Sequence, residues 1–543
     1  MSGKFVRASK FRHVFAQPSK REQCYDNVKI TRNAWDSNLI QCNSSYLSIN
    51  WNINSGGSFG VIPLNETGKI PESIPLFQGH TAPVLDTDWS PFMDTLVASG
   101  SEDAKIFLWQ VPDDFTIFDN VFEEVRPMAK LTGHSRHDYI FRHNLIYFRK
   151  VGFVQFHPTA NNVLASASTD GVKFWDIEKG VDNITLKHQD IIQSMSFNRN
   201  GSLLVTTCRD KMIRIFDPRA QISPVQEAKG HEGAKNSRVV WLGDLDRIAT
   251  TGFGKYSGRQ LGLFDTTALG KGPISHDFIE LDSSSGITMP FWDPDTKILY
   301  LAGKGDGNIR YYELDNDEFC YLADYKSTDP QRGMAFMPKR SLAIHENEIA
   351  RAYKSSKDVL IEPIRFYVPR RSETYQDDIY PDTLSDEPSL TAGEWFAGKT
   401  ADPILVSLEQ VYEDGLSGRP AAKSACFTPS IVAQIPRHNS FGQPSNEKAA
   451  QAQASSPVEI TANKVSRNDN VSGPANEPYV SVDVQKLTEM IRKQEGSISA
   501  HAKKISSLED RLADKDAAIK DLRVQVAQLV EAFTELERGG VNV

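Results

Sequence analysis

The chain is poor in cysteine. Five residues, Cys24, Cys42, Cys208, Cys320 and Cys426, are scattered over 543 positions. They are odd in number and form no C-x-x-C pair, so neither a disulfide framework nor a thiolate zinc site is expected. No stretch approaches the ~20 apolar residues that span a bilayer. The segment from Met1 to Arg7 lacks the apolar centre of a signal peptide. A reducing, cytosolic setting fits these absences. P-loop, nucleophile-elbow and metal-ligand motifs are missing as well, which argues against an enzyme. The stretch from Gly252 to Gly258 is glycine-rich but lacks the Walker spacing. No catalytic residue, cofactor or metal is therefore expected. Positive charge is not in surplus: 61 Lys and Arg face 70 Asp and Glu, a net charge of −9. That argues against nucleic acid as the main ligand.

The charge is uneven. Residues 1–50 carry +5, residues 416–480 carry +2 and residues 481–543 carry −1, which leaves −10 for residues 1–415. A basic leading edge on an acidic body suggests an acidic partner that meets one region only.

A repeat, by contrast, is abundant. Short strands ending in an aromatic and an acid, or a variant of that pair, place aromatics at Trp109, Trp175, Phe216, Phe264 and Tyr312. Gly-His or a relative precedes several of them, at His80, His134, His188 and His231. The later gaps of 41, 48 and 48 residues lie near the ~40–45-residue period of a WD-repeat propeller. Each unit would be a four-stranded antiparallel blade. Its buried polar set would be His80, Ser99, Asp103 and Trp109 in one blade and His134, Ser166, Asp170 and Trp175 in the next. A third would hold His188, Thr206 and Asp210, with Phe216 in the tryptophan position. Buried polar groups must be paired. A set that recurs blade after blade is structural, whereas a catalytic site would occur once. Residues 39–64 read as a degenerate first blade and residues 325–368 as a last one, which makes seven. The stretch from Phe5 to Phe15 would close the ring.

One unit is too long. From His to aromatic is 29 positions in the first unit and 28 in the third, but 41 in the second. The extra residues fit 137–149, which are aromatic and basic. Two readings stand: a functional loop on the rim, or an intron retained in the gene product. The smooth junction left by their removal favours the intron.

Residues 416–480 contain seven Pro and nine Ser, with Phe427, Phe441 and Tyr479 as their only aromatics. They read as a disordered linker. Residues 370–415, with Trp395 and Phe396, are apolar enough to pack back on the propeller. Residues 481–538 carry an unbroken heptad pattern. Val484, Ile491, Ile498, Ile505, Leu512, Ile519, Val526 and Phe533 occupy a positions. Leu487, Leu508, Leu522, Leu529 and Leu536 occupy d positions, which they share with Gln494, His501 and Lys515. This predicts a coiled coil that joins copies of the chain as a dimer or trimer.

Long segments then resemble the coronin family. They are Val6-Arg-Ala-Ser-Lys-Phe-Arg-His-Val-Phe15, Trp35-Asp-Ser-Asn, Gly100-Ser-Glu-Asp103 and Asp329-Pro-Gln-Arg-Gly-Met-Ala-Phe-Met-Pro-Lys-Arg340. Glu348-Ile-Ala-Arg351, Val368-Pro-Arg-Arg371, Asp377-Asp-Ile-Tyr-Pro-Asp382 and Glu394-Trp-Phe-Ala-Gly398 complete the match over about residues 1–410. Residues 137–149 depart from the family pattern. The resemblance implies an all-β seven-bladed WD-repeat propeller with a packed extension (1–415), a linker (416–480) and a coiled coil (481–538). It implies binding to F-actin and filament crosslinking or bundling. It also implies contact with the Arp2/3 complex, Arp2/3-dependent branching, contact with cofilin, and a place in cortical actin patches of the cytoplasm. A basic position important for filament binding in animal coronins matches Lys29. Arg32 is the second expected contact, with Lys20 and Arg21 weaker ones. The alternative is a general WD-repeat scaffold for a non-actin complex.

Overall fold

In the computed structural model the first described strand belongs to the last blade. The structure describes residues 7–417, apart from 34, 54–56, 119–123, 135–140, 143–144, 147–149, 170 and 372–373. The expected coiled coil, most of the linker and Asp170 therefore lie outside the described residues.

Among the described residues seven sheets of four to six strands, mainly antiparallel, follow one another around a ring. The second blade shows the plan, with strands Val84–Trp89, Leu96–Ser101, Ile106–Gln110 and Ala129–Leu131. The third (Val151–Phe156, Val163–Ser168, Gly171–Asp176, Val181–Lys187) repeats it. The first strands of successive blades touch and line the axis. Second strands are buried on both faces because a blade lies on either side. Val163-Leu-Ala-Ser-Ala-Ser168 shows the consequence: small and β-branched side chains with every residue buried.

Blade one is Ile40–Cys42, Tyr46–Asn50, Gly57–Pro63 and Leu76–His80. It extends past the expected limit at 64, and its outer strand delivers His80 to blade two. The closing strand also differs from the expected Phe5–Phe15. Phe15–Pro18 pairs antiparallel with Ile364–Tyr367, and Tyr25–Asp26 with Leu360–Ile361. Residues 7–14 do another job. Arg7 pairs with Glu313 and Asp315, and Phe11 and Val14 pack among Met289, Tyr311 and Phe366. Placing the first strand in the last blade closes the ring and removes two free edges.

Turns between first and second strands and turns between second and third strands lie at opposite ends of an antiparallel blade. The C-terminal extension covers the first kind. Leu390 bridges to Ala160, and Asn161 donates its amide to the Leu390 carbonyl at 2.8 Å. A capping box on Thr391 and Glu394 starts the helix Ala392–Phe396, which buries Trp395 completely. The other face is left without that cover.

Candidate functional site: a repeated polar frame and a basic open face

The frame of each blade is a chain of hydrogen bonds. In blade two, His80 Nδ1 lies 3.1 Å from Asp103 and His80 Nε2 lies 2.8 Å from Ser99 Oγ. Trp109 Nε1 donates to the same Ser99 oxygen at 2.8 Å. One arrangement satisfies every group: Nδ1–H donates to Asp103, Ser99 donates to Nε2, and Trp109 donates to Ser99. Burial alone would raise the Asp103 carboxyl. Hydrogen bonds from His80 and from the Thr81 and Lys105 amides outweigh it and hold the group below its ordinary range. In blade three, Ser166 joins His134 at 2.7 Å and Trp175 at 2.8 Å.

Blade four departs from the expected set. His188 reaches Thr206 at 3.0 Å, but Asp210 turns to Arg214 at 2.7 Å. The His188 Nδ1 faces the Leu186 carbonyl instead. Phe216, having no N–H, leaves the threonine with a single ring to serve. Blade five carries a version that spacing did not reveal: His231 bonds Thr250 at 3.0 Å, and Gln260 at 3.3 Å stands in the aspartate's role. Burial pushes His188 and His231 down to about 4, so both are neutral. A depressed histidine contributes stability that is complete above the unfolded pKa near ~6.5 and is lost as pH falls towards 4. Asp86 and Asp88, raised by burial to about 8 and about 7, act in the opposite sense.

Ser99→Ala is expected to cost about 2 kcal/mol, because it orphans two buried groups. Thr206→Ala should cost about half as much, since only His188 depends on it. Thermal melts of the two variants check this ordering.

On the open face, residues 31–38 run across the end of the ring. Trp35 Nε1 donates to the Gly152 carbonyl of blade three at 2.8 Å. Arg238 of blade five donates to the Asp36 carbonyl and to Asn38 Oδ1. Lys304 of blade six donates to the Trp35 carbonyl at 3.3 Å, and the Met334 amide of blade seven to Asn38 at 3.1 Å. Gly152 is required here, because a Cβ would collide with the Trp35 ring. Lys150 lies 4.2 Å above that ring. Burial brings the Lys304 amine down to about 8 despite nearby Asp36.

Arg32 in this strap and Lys29 just before it are two of the four expected basic contacts. Lys29 is half-exposed; its amine donates to the Glu72 carbonyl at 2.8 Å and lies 3.6 Å from the Glu72 carboxylate. Arg32 is exposed, and no described acid pairs with it. Lys20 and Arg21 lie elsewhere, on the outer edge of blade seven between the two pieces of the closing strand. Arg21 is tied to Asp26 at 2.6 Å. Within the long second unit, residues 141–142 pair antiparallel with 145–146.

Comparison with known proteins fits this architecture. Residues 71–110 and 181–217 match the WD domain, G-beta repeat, and residues 361–403 match a type of WD40 repeat. Residues 4–69 match a domain of unknown function. The chain is 56% identical over 440 residues to the coronin-like protein crn1 of Schizosaccharomyces pombe, covering 81% of this chain and 70% of that one. It belongs to the coronin family. Coronin-2A of Homo sapiens is 45% identical over 412 residues, with 74% of each chain covered. The coronin-like protein of Saccharomyces cerevisiae is 51% identical over 420 residues, 76% of this chain and 62% of that one. The crystal structure of the WD40 domain from Toxoplasma gondii coronin superposes with a TM-score of 0.66 at 31% identity. It covers 73% of this chain and 97% of that one. Coronin propellers are scaffolds rather than enzymes. Among the described residues no helix is long and apolar enough to cross a membrane.

Proposed function

We propose that this coronin binds actin filaments through the open face around Arg32 and Lys29. Copies joined through residues 481–538 then crosslink the filaments. The observation that carries the reading is Arg32, exposed beside Lys29 with no described counter-ion, on the face the C-terminal extension leaves free. An acidic filament would meet that cation without first displacing any described partner. Lys29 must share its charge with Glu72, so Arg32 is the stronger contact, although the family resemblance singles out Lys29. Regulation of branching through the Arp2/3 complex, contact with cofilin and residence in cortical actin patches belong to the same proposal.

Reversing one exposed charge removes an attraction and adds a repulsion, together roughly 2 kcal/mol at close range in water. Arg32→Asp should therefore weaken filament co-sedimentation on the order of thirtyfold at low salt, and much less at high salt. Lys29→Asp should weaken it by less. Both variants should melt like wild type. Unchanged pelleting by the Arg32 variant at low salt would place the contact elsewhere. No filament binding by the wild-type chain would leave the scaffold of a non-actin complex.

A further inference from the structure

The C-terminal extension ends in an unusually apolar ribbon. Thr383–Leu384 pairs antiparallel with Leu405–Val406, and the Ser385 amide donates to the Ile404 carbonyl at 2.9 Å. Leu384, Ile404, Leu405 and Val406 are each 40–42% exposed. Leu384 and Leu405 pair across one face of the ribbon, while Ile404 and Val406 share the other, so both faces carry half-exposed aliphatic side chains. The backbone is open as well. The 385–404 pair is hydrogen-bonded, so in the alternating antiparallel ladder the amide and carbonyl of Leu405 point away from Leu384. No described residue meets them. Such an edge invites a third strand.

The chain itself carries a matching strand. The helix Glu409–Ser417 follows the ribbon at once, fixed by buried Leu408 and Tyr412. Fourteen positions after Ser417 come Ile431, Val432, Ala433, Gln434 and Ile435, bounded by Pro429 and Pro436. This is the one β-prone apolar run in an otherwise Pro- and Ser-rich segment, and prolines at both ends limit it to strand length. The connection can span roughly 45 Å when extended, far more than the ~14 Å length of the intervening helix.

We propose that residues 431–435 dock as a third strand on the Leu405–Val406 edge. The tether holds them there at an effective concentration on the order of millimolar, so a weak strand contact suffices. Docking shortens the free linker before the heptad segment to residues 436–480, and it pairs the open ribbon edge without recruiting another protein.

The test is amide hydrogen exchange on the full-length protein, wild type and Val432→Asp. The changed residue lies outside the propeller, so folding is not at stake. The Leu405 amide should exchange about tenfold more slowly in wild type than in the variant, independently of protein concentration. Three results would overturn the proposal. One is unprotected exchange at Leu405 in wild type. Another is equal protection in V432D, which would mean that something else covers the edge. The third is protection that fades on dilution, which assigns the ribbon to contacts between copies. A second variant, Ile435→Asp, should reproduce V432D.

Discussion

Removing residues 481–543 is expected to abolish filament bundling at concentrations where the full-length coronin bundles, while filament binding by the remaining propeller falls far less. The reason is effective concentration. A single basic face on an acidic filament is a weak, salt-screened contact. Once one propeller of an oligomer is bound, a tethered second searches a small volume, and avidity exceeds a single contact by about 10²–10⁴-fold. The heptad segment is suited to supply that tether. Val484, Ile491, Ile498, Ile505, Leu512, Ile519, Val526 and Phe533 recur every seven residues. A helix from 484 to 536 would be roughly 80 Å long. β-Branched residues at most a positions with Leu at many d positions favour two parallel strands. Lys504 with Glu509 and Arg511 with Asp516 are g-to-e′ pairs of opposite charge. Low-speed pelleting reads bundles and high-speed pelleting reads binding. The truncated chain should lose the first and retain much of the second. Equal bundling by both proteins would mean that one propeller carries two filament sites. Sedimentation velocity should show the truncated chain as a monomer.

The blades are legible in sequence because each repeats a pattern with a physical cause. A buried His–Ser–Trp chain needs its residues at fixed spacing, and His80, Ser99 and Trp109 stand where that spacing places them. Substitution within the pattern hides the frames of blades four and five. Asp210 occupies the expected turn, yet Arg214 four residues on takes its carboxylate. A single Arg on the third strand thus redirects a contact that spacing alone assigns to His188. Gln260 fills the acid's role with an amide, which no search for carboxylates would find. The closing strand is hard to place from sequence because Val6 to Phe15 is as strand-like as Ala16 to Pro18. Arg7 decides the matter by pairing with Glu313 and Asp315, acids some 300 residues away. Lys29 and Arg32 look alike in sequence. Only the fold brings Glu72 to one of them. Trp35 stands out as part of a family motif, but its role at the ring's open end depends on carbonyls and cations from several blades. Residues so distant in sequence leave no local signal.

Trp395→Ala should have the largest effect on stability of any single substitution in the extension. Its indole is completely buried, with ring centroids 5.6 Å from Phe174 in a stacked pair and 4.8 Å from His157 in an edge-on one. Arg219 lies 5.2 Å from the ring. The same guanidinium donates to the Lys399 carbonyl at 2.6 Å and to Thr400 at 2.8 Å, so it holds the chain on the far side of the helix. Removing a buried Trp costs about 3–5 kcal/mol, through lost transfer energy and the cavity left behind. The loss falls on docking rather than on a blade, because Trp395 belongs to no ladder. The expected outcome is local: protease should cut the Trp395→Ala protein between 383 and 417 at least a hundredfold faster, while the blades stay resistant. Trp395→Phe separates packing from polarity. The indole N–H has no hydrogen-bond partner among the described residues, so phenylalanine forfeits some area but no bond and should retain most of the protection. If Phe were as damaging as Ala, an unseen polar contact would be holding the extension. If Ala were harmless, Tyr380 and Leu408, buried near blades six and seven, would be sufficient to keep it in place. Burial of His157 gives an independent readout. Its ring nitrogen is tied to the Gly201 carbonyl at 2.9 Å, and burial presses its pKa down to about 3. Losing the Trp395 cover admits water to that ring. The histidine should then titrate closer to the ordinary value in the alanine variant, and nuclear magnetic resonance of the imidazole protons would follow the change directly.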